Sequence, residues 1–301
     1  MGPDCFAQKS LAPVERFNVN KVVKRLRASP LGRKVYRPIQ ALIQLSRWLR
    51  YPDIPLDHAI TRVTYRQRKF SILHRRWSES DKLVIAQCFA QAQYDMPSGA
   101  QGAVIERIYR EIVASGKKPL IVDCGANIGA SVLWFTARYP EAHIVAVEPS
   151  PVNFALLRKN CLGLDVDLRQ AGIGPADGIA WTNNPDDELG CKTNEDHDGI
   201  EVDIISLKTI LAAKPASGYT PFLLKVDIEG AEKSLFTGPA SVLNKFPLIL
   251  MEPHDWLFPG QRTSVEFFRF HAHAGREFAM HDENIASIVC DLSPHETASS
   301  H

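Results

Sequence analysis

Between residues 119 and 252, short apolar runs recur, and a stretch with helical spacing follows most of them. The runs fall at 119–123, 143–147, 166–170, 222–227 and 247–252. Their length and apolar content suit buried strands. The stretches at about 129–139, 151–161, 206–213, 230–245 and 262–274 read as helices. Alternation of this kind predicts an α/β fold, a mostly parallel, doubly wound sheet with helices on both sides. Near the end, "REFAMH" and "ASIVCDL" read as an antiparallel pair at the sheet edge, and "SPHETASSH" as a frayed tail.

The first hundred residues follow another pattern. "PIQALIQLSRWLRY" puts Ile39, Leu42, Ile43, Ser46 and Leu49 on one helical face, with Pro38 suited to a first turn. "TRVTYR" and "FSILHRR" read as a β-hairpin turning at "QRK". "SESDKLVIAQCFAQAQY" reads as a helix with Ser78 and Asp81 at capping-box spacing, and residues 101–115 as another closed by Gly116. The expected organisation is an α+β extension over 1–100, a main domain over 101–295 and the tail 296–301.

Charge sharpens that division. Residues 1–80 hold 17 Lys and Arg against 5 Asp and Glu; the remainder holds 18 against 29. The basic part therefore meets an anionic surface or packs on the acidic remainder. Residues 35–80, where Arg37, Arg47 and Arg50 flank Ile39, Leu42, Leu45, Trp48 and Leu49, are compatible with peripheral contact with an anionic membrane. No window approaches the roughly 20 apolar residues of a membrane span. The N-terminus lacks the pattern of a secretory signal, and Phe6 stands where myristoylation wants Ser or Thr. Six scattered cysteines without CxxC pairs point to free thiols in a reducing compartment, so the expected location is cytoplasmic.

The chemistry begins at "IVDCGANIGAS", residues 121–131. An apolar strand runs into Asp123, and Gly125, Asn127 and Gly129 follow at every second position. Glycine lets a ligand approach the backbone, and Asn tolerates the left-handed region. Asp123 is expected to face a pocket lined with N–H groups, suited to a ligand with an ammonium and a carboxylate. The next strand, "HIVAVE", ends at Glu148, where an acid commonly accepts hydrogen bonds from ribose hydroxyls. Ser150 and Pro151 cap and open the helix that follows. The loop is not G-x-G-x-x-G, so S-adenosylmethionine fits it better than a dinucleotide.

A second constellation lies downstream. In "FLLKVDIEGAEKSLF", Lys225, Asp227 and Glu229 share one side if the strand persists, and "LILMEPHDW" adds Glu252 and His254. Ligands of open α/β sheets sit beyond the carboxyl ends of strands, so these residues and Glu148 should converge on one crevice. His254, whose unperturbed ring titrates near neutral pH, is a candidate general base; nearby carboxylates would raise its pKa.

"VDCGANIGAS", "VEPSP", "KVDIEGAE" and "MEPH" together resemble the FkbM-type family of S-adenosylmethionine-dependent methyltransferases over about residues 119–255. The upstream "RRWSESDKLVIAQCFAQAQYD" is similar too, with Arg76, Ser80, Asp81 and Tyr94 matching. The resemblance implies a Rossmann-like class I methyltransferase fold and methyl transfer to a hydroxyl. It implies that Asp123, Gly125, Asn127 and Gly129 cradle the methionine half of the cofactor, with Ala126, Pro149 and Ser150 in the same set. Glu148 would hold the ribose, and the segment around Ala171 would border the adenine. Asp227, Glu229 and His254 would face the acceptor as the catalytic group.

The expected function is O-methylation of a sugar, glycan or secondary-metabolite hydroxyl, with no nucleic-acid partner because the main domain is acidic. No resident metal is expected, although Asp227, Glu229, Glu252 and His254 could together hold Mg²⁺. The alternatives are a non-catalytic methyltransferase-like scaffold and an NAD-dependent oxidoreductase. Trp134, Trp181 and Trp256 could each stack on a sugar or pack in the core.

Overall fold

The computed structural model describes residues 57–96, 99–182 and 200–289. The amphipathic stretch at 38–51, the greater part of the basic region and the tail lie outside these residues. A hairpin opens the described chain, β1 (His58–Tyr65) against β2 (Arg68–Arg75). Its two-residue link, Arg66 and Gln67, has φ of 47° and 66°, as the tightest hairpin turns require. Helix α1 (Glu79–Phe89) follows, and the Ser78 hydroxyl accepts the Asp81 N–H at 3.0 Å, as the cap spacing predicted. The Asp81 carboxylate binds Arg75 instead of closing a reciprocal capping box. Helix α2 (Ala100–Ala114) completes the approach to the sheet.

The alternating region then forms as expected. Strand β3 (Lys118–Cys124) leads to α3 (Ala130–Arg138), β4 (His143–Val147) to α4 (Pro151–Asn160), and β5 (Val166–Arg169) ends the first half. Three strands missed in the sequence come next: β6 (Gly172–Gly174), β7 (Gly178–Thr182) and β8 (Ile200–Ser206), which make a separate small sheet in the order β6-β8-β7. After α5 (Leu207–Ala212) and β9 (Tyr219–Val226), the helix expected over 230–245 is two short ones, α6 (Glu232–Leu235) and α7 (Ala240–Leu243). Pro239 separates them and serves as the N-cap of α7, because proline cannot supply an interior helical N–H. Strand β10 (Leu248–Met251), α8 (Val265–His273) and the pair β11 (Glu277–His281) and β12 (Asn284–Ile288) end the described chain.

The main sheet has the order β11-β12-β10-β9-β3-β4-β5. β10, β9, β3, β4 and β5 run parallel, and β12 runs antiparallel to both β10 and β11. Alternate side chains feed two cores, one on each face. Ile121, Ile144, Leu223 and Leu250 face α3 and α4 with Trp134, Phe135 and Leu157; Val122, Val145, Leu224 and Ile249 face Leu207, Phe236 and Phe267. Ile72, Ile85, Cys88 and Tyr94 belong to the first of these cores, so the hairpin and α1 pack onto the sheet. Strand order reverses between β3 and β9. The carboxyl ends of those strands flank the crevice where such sheets bind ligands.

Candidate active site

Beyond those strand ends lies a cavity of about 710 Å³. Gly125, Asn127, Glu148, Pro149 and Ala171 line one part of it, and Asp227, Glu229, Glu252 and His254 line another. The two constellations seen in the sequence therefore share one space. Asp123, Ala126, Gly129 and Ser150 are fully or almost fully buried behind its wall.

Asp123 does not face the cavity as expected. It is fully buried, accepts the Ser131 hydroxyl at 2.6 Å and lies 3.1 Å from the Lys225 ammonium. Its charge holds the glycine loop from beneath. Nor are all the loop N–H groups bare: those of Gly125 and Ala126 both donate to the Val147 carbonyl at 3.0 Å. The Asn127 N–H donates to Glu148 Oε2 at 2.8 Å, and the Ser150 N–H to Oε1 at 2.9 Å. Asn127 takes the left-handed conformation, φ 48°. Gly125, with φ 82°, is required by its neighbour strand, because a Cβ there would sit 1.7 Å from the Asp227 carbonyl oxygen. Gly129 begins α3 against Leu157, and Ser150 caps α4 by accepting the Asn153 N–H. Both roles are structural. Burial raises the Glu148 carboxyl to about 7, against the opposing hydrogen bonds from Ser150 and Asn127.

Lys225 joins the two halves. It is 1% exposed, donates to the Gly125 carbonyl at 2.9 Å and lies 3.3 Å from Asp227 Oδ2 as well as close to Asp123. Its ammonium sits 5.6 Å from the centre of the Tyr94 ring.

His254 stands at the centre of the acidic group. Its Nδ1–H donates to Glu232 Oε1 at 2.7 Å, and Glu232, fully buried, also accepts the Gly230 N–H at 3.1 Å. Nε2 lies 3.6 Å from Asp227 Oδ1, 3.7 Å from Glu252 Oε1 and 3.9 Å from Glu229 Oε2. Burial disfavours charge on this ring, but the Glu232 hydrogen bond and the carboxylates of Asp227 and Glu229 outweigh it and lift the pKa to about 9. The direction is the one expected from the sequence. Glu252 is raised to about 8, by burial and then by Asp227. Glu229 reaches this group from a left-handed backbone, φ 51°, which costs a non-glycine residue about 1–2 kcal/mol.

Glu232, the last residue of "KVDIEGAE", was given no role from the sequence, because nothing in its spacing points toward His254. Nor was the wall foreseen that Leu83 and Gln87 of α1, and Gln91 just beyond its end, supply to the cavity. Leu83, 53% exposed, presents an apolar side chain at that wall. Trp134 is core, whereas Trp256 is 72% exposed and borders the cavity.

The Methyltransferase FkbM domain family matches residues 123–286, more than half of the chain. The chain belongs to the FkbM methyltransferase family. Its mostly parallel α/β sheet with an antiparallel edge is the fold expected for it. Two relatives are methyltransferases by name. Methyltransferase sdnD of Sordaria araneosa is 30% identical over 155 residues, covering 40% of this chain and 60% of that protein. Methyltransferase 1 of Beauveria bassiana is 30% identical over 147 residues, covering 39% and 57%. The chain thus spans less than two thirds of the length of these relatives. Among solved structures, the O-methyltransferase TomG from Streptomyces achromogenes, involved in tomaymycin synthesis and solved in complex with SAM, is 12% identical. That likeness covers 71% of this chain and 92% of TomG with a TM-score of 0.35.

Proposed function

We propose that this FkbM-family chain is an S-adenosylmethionine-dependent O-methyltransferase acting on a hydroxyl of a sugar, glycan or secondary metabolite. One observation carries the reading: the glycine loop with Glu148, and the group of Asp227, Glu229 and His254, open into the same cavity. The donor set fits the cofactor. Glu148 offers a carboxylate to ribose hydroxyls, Pro149 and Ala171 give an apolar border for the adenine, and the backbone of Gly125 and Asn127 borders the methionine half. A dinucleotide fits less well. Its pyrophosphate needs free N–H groups where the loop meets α3, and those of Gly125 and Ala126 are already taken by Val147.

When bound, S-adenosylmethionine supplies an activated methyl group, so the chain has mainly to align a hydroxyl and remove its proton. Asp227 and Glu229 face the part of the cavity beside the loop and offer carboxylates for that proton. His254, charged near neutral pH on its own, orders those carboxylates around Nε2 rather than accepting a proton itself. Trp256 at the mouth offers an aromatic face to a sugar ring.

Transfer of isotope-labelled methyl from the cofactor to a panel of sugars, oligosaccharides and hydroxylated metabolites tests the proposal. Label recovered as an ether on at least one acceptor supports it. Label found on nitrogen or carbon acceptors only would refute O-methylation.

A further inference from the structure

We infer that Asp227, Glu252 and His254 form a binding site for a divalent transition-metal cation. One ligand atom from each lies within 4.8 Å of the others. The separations from His254 Nε2, 3.6 Å to Asp227 and 3.7 Å to Glu252, are too long for hydrogen bonds. They are close to what two ligands at about 2.0–2.6 Å from a shared ion would show. The three residues come from the ends of two adjacent parallel strands and the loop after the second, so the sheet itself sets their spacing.

The surroundings point to a ligand independently. His254 is 2% exposed and lines the cavity, and among the described residues its Nε2 makes no hydrogen bond. The other ring nitrogen donates to buried Glu232, the arrangement that presents the remaining nitrogen to a metal. Asp227 is oriented in the same manner. Lys225 holds Oδ2 at 3.3 Å and leaves Oδ1 turned toward the ring. Glu252 is 12% exposed, and no hydrogen-bond donor reaches its carboxylate among the described residues. Four carboxylates, those of Asp227, Glu229, Glu232 and Glu252, thus surround one imidazole, with the Lys225 ammonium beside Asp227, and a dication offsets the negative charge that remains. One imidazole with two carboxylates suits Mn²⁺ or Zn²⁺ better than Ca²⁺.

The consequence for catalysis rests on the methyl-transfer reading; the binding itself does not. Positions left open on the cation take the acceptor hydroxyl and lower its pKa. Its proton passes to Glu229, the oxygen lone pair forms the new C–O bond, and the C–S electron pair leaves with sulfur as a neutral thioether.

The test is a titration of the full chain, stripped with EDTA and dialysed, with Mn²⁺ followed by the electron paramagnetic resonance of the free ion, and with Zn²⁺ by calorimetry. No acceptor is present. The expected result is one site per chain, weakened at least tenfold by Asp227→Asn, Glu252→Gln and His254→Gln and unchanged by Asp165→Asn on the surface. Glu232→Gln, which leaves the three ligands in place and changes the partner of His254, should weaken binding about 10–100-fold. Should a variant fail to fold, the wild-type stoichiometry and any folded member of the set decide. Absence of binding by wild type below millimolar concentration overturns the inference, as does binding that all the folded variants keep. Parallel titration with S-adenosylmethionine separates the two claims: cofactor binding without metal binding sinks only the metal site, and the reverse sinks only the methyltransferase reading.

Discussion

Replacing Lys225 with Met removes a charge that the structure uses three times. The ammonium lies 3.1 Å from Asp123 and 3.3 Å from Asp227 and donates to the Gly125 carbonyl at 2.9 Å. Met keeps the length and packing of the side chain, so little of the effect comes from a cavity. What remains is Asp123, fully buried, with only the Ser131 hydroxyl donating to its side chain among the described residues. Breaking one side of a buried pair costs about 3–5 kcal/mol, and solvent does not screen this one because both partners are inaccessible. Asp227 is 25% exposed and contributes less. A unit of this size loses about 2–4 °C per kcal/mol, so the melting temperature should fall by about 6–20 °C. Thermal unfolding followed by circular dichroism measures it. Combining Lys225→Met with Asp123→Asn should cost less than the sum of the two, because the uncompensated charge is then gone. A single variant melting within about 2 °C of wild type would refute the view of Lys225 as the clamp beneath the loop.

Gly125→Ala should cost about 2–5 kcal/mol and abolish cofactor binding, because its Cβ would lie 1.7 Å from the Asp227 carbonyl oxygen at φ 82°; thermal melts and calorimetry check both. Glu148, raised to about 7 by burial, must be ionised to accept ribose hydroxyls, so S-adenosylmethionine affinity should fall about tenfold per unit as pH drops below 7. Glu148→Gln should remove that pH dependence. In the cofactor-free protein the same raised pKa has the opposite sense for stability: its contribution is fully present below the ordinary carboxyl value of 4.5 and lost as pH rises through about 7, which pH-dependent melts of wild type and variant would show. Gly230→Ala should destabilise and displace Phe258, whose ring atoms lie 2.7–3.1 Å from the added carbon, lowering turnover more than cofactor affinity; steady-state kinetics beside calorimetry reads the difference.

Residue type and period made the central sheet and both constellations readable in the sequence. Mainly apolar runs end at Asp123, Glu148, Asp227 and Glu252, and parallel pairing brings those ends to one edge whatever the loops do. Asn127 was readable as a left-handed position because few other side chains tolerate it. Details set by contacts between distant segments were not readable. The direction of Asp123 depends on Ser131 and Lys225, which reach it from the helix behind and the strand beside. Glu232 and His254 meet across 22 residues of chain, and nothing in either local pattern announces the pair. The small sheet escaped because β6 has three residues and two of them are Gly172 and Gly174, which resemble turn residues. The split of the 230–245 helix was written in Gly238 and Pro239, and the apolar spacing around them masked it.

We propose that the cavity at the β3 and β9 strand ends binds S-adenosylmethionine. Isothermal titration of the full chain with S-adenosylmethionine, with its demethylated product and with NAD tests this most directly. The expected result is one site at micromolar affinity, about −8 kcal/mol, for the first two and no measurable heat for NAD. Glu148→Ala should weaken the first two by about 1.5–3 kcal/mol. Binding of NAD without binding of S-adenosylmethionine would contradict the account.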